Sequence, residues 1–117
     1  MSLPEAARTT DPGAFRLVEA PAGLAAHGPL TFASARRACG LGVQALGQVH
    51  GQGSQGKALE VDCRGVTVSD SAGLAVLLEW LGVAKRAGRS LRYTHMPQGL
   101  AALARISDVQ ELLERGV

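Results

Sequence analysis

A chain of 117 residues is one domain by size and buries roughly two thirds of its unfolded surface, enough for a modest core without staples. Its 12 Lys and Arg scarcely outnumber 10 Asp and Glu, and the net charge of +2 is spread thinly, which speaks against nucleic-acid binding and for a protein partner or none. Aromatic residues are 3% against 46% hydrophobic residues overall, so packing rests on aliphatic side chains and the one Trp stands out.

The opening MSLPEAARTTDPGAF lacks an apolar signal-peptide core, and no apolar run is long enough to span a bilayer. A cytoplasmic chain without a membrane span is expected, one that approaches a membrane only through a partner. Cys39 and Cys63 form no C-x-x-C pair and read as small apolar side chains.

Residues 1–12 lack periodicity and are expected to form a mobile leader, with residues 13–117 as a single domain. Phe15–Ala20 alternates as a strand, Pro21-Ala22-Gly23 supplies a turn, and Leu24–His27 returns as a second strand. Gly28-Pro29-Leu30 breaks the pattern. Thr31 then reads as the N-cap of a helix with Phe32, Ala35, Cys39, Val43 and Leu46 inward. Gly40 and Gly42 weaken that helix by about 1 kcal/mol each relative to Ala. Gln48–Lys57 reads as a polar, Gly-rich loop.

The stretch Leu59–Ala87 is the best-defined unit. Leu59, Val61 and Cys63 alternate with Glu60, Asp62 and Arg64, so one face of a strand is covered. Asp70 and Ser71 sit where either side-chain oxygen can accept from the free N–H groups of a first helical turn. Leu74, Leu77, Leu78, Leu81 and Ala84 follow on one helical face, and Lys85, Arg86 and Gly88 end it. Ser90–Met96 reads as a last strand with Leu91, Tyr93 and His95 on one face. Pro97 opens a short helix with Leu100, Leu103 and Ala104 inward. Ser107-Asp108-Val109-Gln110 has the pattern of a capping box before a final helix, with Leu112 and Leu113 inward. The fold class is α/β: a small mixed sheet of about four strands with helices mainly on one face.

Most chemistry is absent from the sequence. Gly51-Gln52-Gly53-Ser54-Gln55-Gly56 matches G-x-G-x-x-G, but a helix precedes it and a strand follows, the reverse of a dinucleotide site. His27, His50 and His95 have no metal-ligand spacing. A triad of Ser71, His95 and an Asp would lack a nucleophile elbow, and no Walker A motif is present. No metal, cofactor or catalytic residue is expected. Arg86, Arg89 and Arg92 read as a solvated helix end, the alternative being contact with lipid headgroups beneath a membrane complex. Trp80, off the centre of the leucine stripe, reads either as a partly exposed rim residue, where aromatic residues anchor partners, or as a Trp lying over the edge of the core.

The run VTVSDSAGLAVLLEWL resembles the signature of the STAS family, in which a strand, an Asp-Ser or Asp-Thr pair, a Gly-Leu and an apolar helix follow in order. The match lies at Asp70, Ser71, Gly73 and Leu74, and the resemblance extends from about Ala58 to Leu113. Anti-sigma-factor antagonists of this family usually carry Gly-Glu-Leu-Asp before their first helix, whereas this chain has Gly28-Pro29-Leu30-Thr31. GPLTFASA and DSAGLAVLLEWL look more like the MlaB branch, the STAS subunits of bacterial Mla phospholipid-transport complexes. That resemblance implies a non-catalytic subunit at the inner face of the inner membrane. Its partner would be an MlaF-like ATPase subunit of an ABC transporter and, through it, a permease. Thr31, Asp70, Ser71, Gly73, Leu74 and Trp80 are the partner-binding residues expected. The alternative it implies is an antagonist of an anti-sigma kinase, released by phosphorylation of Ser71.

Overall fold

The computed structural model describes residues 14–49 and 59–116. The leader expected at 1–12 and nearly all of the Gly-rich loop lie outside the described residues. Strands β1 (Arg16–Ala20), β2 (Gly23–Leu30), β3 (Leu59–Ser69) and β4 (Leu91–Thr94) form one sheet in the order β1-β2-β3-β4. The tight turn makes β1 and β2 antiparallel, and the helical crossovers make β2, β3 and β4 parallel. Helices α1 (Ala35–Val49), α2 (Ser71–Arg86), α3 (Gln98–Ile106) and α4 (Gln110–Arg115) complete the fold.

The expected break at Gly28-Pro29 does not occur, because β2 continues to Leu30. Two shifts of register against β3, between Ala25 and His27 and between Gly28 and Leu30, absorb the irregularity. Gly28 adopts φ +92°, open to glycine at little cost, and Pro29, which has no N–H to donate, sits where the ladder is already interrupted.

One core lies between sheet and helices, built on Leu24, Ala26 and Leu30 of β2, Val61 and Cys63 of β3, and Leu77, Trp80 and Leu81 of α2. Trp80 is 0% exposed, which corrects the expectation of a rim residue. The physical reason is that α2 is covered on a second flank by α1. There a Cβ at Gly42 would lie 2.0 Å from Trp80 Nε1, so only glycine lets the two helices approach over the indole. Phe15 packs against the same ring, with centroids 6.2 Å apart at a 46° tilt.

That contact also decides which face of α1 is inward: Ala38, Gly42 and Leu46 are buried, whereas Phe32 precedes the helix and Val43 is exposed. Tyr93 of β4 is buried and its hydroxyl donates to Leu77 O of α2 at 2.7 Å. His95 departs from the expected face: β4 ends at Thr94, and His95, at φ 54°, turns outward. The expected capping box does not form either. Ser107 closes α3, Asp108 takes φ 62°, and α4 begins after Val109 with no side-chain cap. Leu113 is buried and Leu112 exposed.

Candidate functional site at the N-terminal end of α2

The C-terminal ends of β2 and β3 run side by side, Leu30 opposite Ser69, and deliver the chain to the start of α2. Asp70 is the N-cap. Its backbone is extended (φ −141°, ψ −172°) and Oδ1 accepts from Gly73 N–H at 3.0 Å. Oδ2 accepts from Phe32 N–H at 3.0 Å, across 38 residues of chain. The N–H groups of Phe32 and then Gly73 hold the carboxyl below its ordinary range, since both bonds favour the charged form. One carboxylate therefore caps α2 and fastens to it the turn before α1.

Ser34 organises that turn from within. Its Oγ accepts from Thr31 N–H at 3.0 Å and lies 2.8 Å from Pro29 O and 3.2 Å from Thr31 O. Ser34 O then accepts from Ala38 N–H at 2.8 Å. The N-cap expected at Thr31 does not form: Ser34 ties up the turn, and α1 begins after it at Ala35. Gly73 is buried so closely beneath Leu30 that a Cβ there would fall 2.0 Å from Leu30 O.

Of the partner-binding residues expected, the structure brings Thr31, Asp70 and Ser71 to one surface. Ser71 is exposed, Asp70 and Thr31 half-buried. Gly73, Leu74 and Trp80 are buried; their side of the helix packs inward, so they support the surface from behind and are corrected as direct contacts. Because Asp70 caps the helix, the Ser71 hydroxyl is not needed for that task.

Two apolar residues at this end are missed by periodicity: Phe32, 82% exposed, and Val68, 55% exposed. Phe32 is adjacent through its bond to Asp70, and Val68 stands two residues before Asp70 on β3. The signal that could have found Phe32 is Ser34, a residue type favoured immediately before a helix, which would start α1 after the Phe.

The triad geometry is not formed. His95 Nδ1 lies 3.5 Å from Asp62 Oδ1 and its ring contacts Arg64, while Ser71 follows Ser69, which is seven residues, or roughly 23 Å, beyond Asp62 along β3. Burial pushes the Cys63 thiol up from 9.0 to about 12, with the Asp62 charge adding to it, so it is a poor nucleophile. Among the described residues, no group of three His, Cys, Asp or Glu side chains is placed to hold a metal ion, and no helix is long and apolar enough to cross a membrane.

A family model described as "Mlab, STAS domain" matches residues 14–114. The chain belongs to the STAS family, on its MlaB-like side. A comparison with curated proteins finds no match. The family match spans every described strand and helix up to the last turn of α4, and the four-stranded mixed sheet with four helices is consistent with the STAS fold. In this STAS domain, the Asp-Ser pair of the signature is the junction at which β3 hands over to α2.

Proposed function

We propose that this STAS domain is a non-catalytic subunit that binds and supports the MlaF-like ATPase of a phospholipid-transport ABC complex, one that maintains outer-membrane lipid asymmetry. It acts from the cytoplasmic face of the inner membrane and reaches the permease through the ATPase. The observation that carries the reading is the exposure of Ser71 at a helix end capped by Asp70, on a surface it shares with the exposed side chains of Phe32 and Val68. A rigid helix end of this kind suits recognition, and the MlaB-like family match supports the reading.

The exposed hydroxyl of Ser71 also favours a second reading, an antagonist that binds an anti-sigma kinase and is released when Ser71 is phosphorylated. A phosphate would add close to two negative charges to a surface fitted to a neutral partner. The test is a pull-down of the tagged full chain from its own cells, wild type against Ser71→Glu, with captured chains identified by mass spectrometry. Capture of an ABC ATPase with its permease, lost in the variant, is expected. Capture of a serine kinase instead would replace the first reading by the second.

A further inference from the structure

We propose that Phe32 is the anchor by which this domain grips its protein partner, its ring entering an apolar pocket on the partner's surface, and that Asp70 and Ser34 are the positioning residues that hold it out. This rests on the docking role proposed above and adds the side chain that supplies the affinity.

Leaving a Phe side chain in water forgoes about 1.5–3 kcal/mol of burial, and the only other Phe of the chain, Phe15, is 1% exposed. An exposed aromatic on a loose segment would be unremarkable. Here the backbone is tied on both sides: Phe32 N–H to Asp70 Oδ2 at 3.0 Å, Thr31 N–H to Ser34 Oγ at 3.0 Å, and Ser34 N–H to Thr31 O at 3.0 Å. Little backbone entropy remains to be lost when the ring is buried, the condition under which an aromatic anchor contributes most.

The surroundings specify the kind of partner. Val68, Ala33, Ser71 and Ala75 are exposed at the same end of the domain and carry no charge. Asp70, the acid among them, uses one oxygen on Phe32 N–H and the other on Gly73 N–H. Arg36, exposed four residues on in the first turn of α1, is a charge at the rim, and the centre of the surface suits an apolar, shape-complementary pocket on a protein. The exposed apolar residues elsewhere are all aliphatic: Val18 on β1, Val43 along α1, Ile106 at the end of α3 and Leu112 on α4.

The test measures affinity of the purified full chain for the ATPase subunit purified from the same cells. Phe32→Ala is expected to weaken binding about 30-fold or more, the scale of an interface hot spot, with an unchanged melting temperature. Val43→Ala serves as the control that binds like wild type. Asp70→Asn is expected to weaken binding in the wild-type background and much less in the Phe32→Ala background, because a positioning residue has nothing left to position. Equal effects in both backgrounds would make Asp70 merely structural and overturn its assigned role. Undiminished binding by Phe32→Ala would overturn the anchor alone, leaving the docking function in place. No binding by wild type would overturn the docking function and the anchor with it. Self-association of the free chain that Phe32→Ala abolishes would assign the ring to a second copy and overturn the anchor.

Discussion

Gly42 of α1 and Trp80 of α2 meet with no room for a side chain between them: a Cβ at position 42 would fall 2.0 Å from Nε1 and 2.2 Å from Cε2 of the indole. Helix propensity alone would make Gly→Ala favourable by about 1 kcal/mol. The clash wins here, because Trp80 is 0% exposed and has nowhere to move. Gly42→Ala is expected to destabilise by about 1–3 kcal/mol, the usual range for overpacking. Gly40 has nothing within 4 Å of an added Cβ, so Gly40→Ala is expected to stabilise by up to about 1 kcal/mol. Urea denaturation of the two variants tests the contrast, and the same sign for both would contradict the packing of α1 on the indole.

Asp70 predicts an acid limb of stability. Its pKa is depressed in the folded state by the N–H groups of Phe32 and Gly73. Its contribution is therefore present above the unfolded carboxyl value of about 3.9 and is lost as pH falls through the lower folded value. Asp70→Ala should lower the melting temperature near neutral pH and bring the variant progressively closer to wild type as pH falls below the unfolded value of about 3.9. A melting temperature independent of this substitution across that window would refute the cap and the tether together.

At the alkaline end the sign reverses. The Cys63 thiol is raised from 9.0 to about 12 by burial, and burial likewise raises Tyr93, with Cys63 adding to it. Unfolding lets these groups ionise at ordinary values, so their contribution is intact below about pH 9 and is lost as pH climbs toward the folded values. Cys63→Ala, judged by the slope of stability against pH between 9 and about 12, should flatten that decline even if it lowers stability at pH 7 through lost packing.

Tyr93→Phe removes the hydroxyl that donates to Leu77 O at 2.7 Å in the core. A loss of about 1 kcal/mol is expected, the net worth of one buried hydrogen bond, read as a shifted urea midpoint at unchanged slope. No shift at all would mean that β4 and α2 are not coupled through this bond.

Ser71→Ala and Ser71→Glu should both leave stability within about 0.5 kcal/mol of wild type, since the residue is exposed and Asp70 supplies the cap. Partner capture should separate them: retained by Ala, which stays neutral, and lost by Glu. Unfolding of the Ala variant would show that the hydroxyl is structural after all.

The sequence alone determined the unit from β3 through α2. Leu59, Val61 and Cys63 on a period of two, Asp70 at the cap, and Leu74, Leu77, Leu81 and Ala84 on a helical stripe are local patterns, readable because each depends on neighbours a few residues away. The β1–β2 hairpin and the mixed, four-stranded sheet followed from the same local rules. Which surfaces are covered twice is a matter of contacts between distant segments. Trp80 is buried because α1, far away in the chain, presents Gly42 to it. Phe32 stands in solvent because a carboxylate 38 residues further along holds its N–H and Ser34 starts the helix after it. β2 runs through Gly28-Pro29 because β3 is there to pair with it. Periodicity reports where apolar side chains recur; which of them meet a neighbour, and which are left for a partner, depends on contacts between segments that the local pattern does not contain.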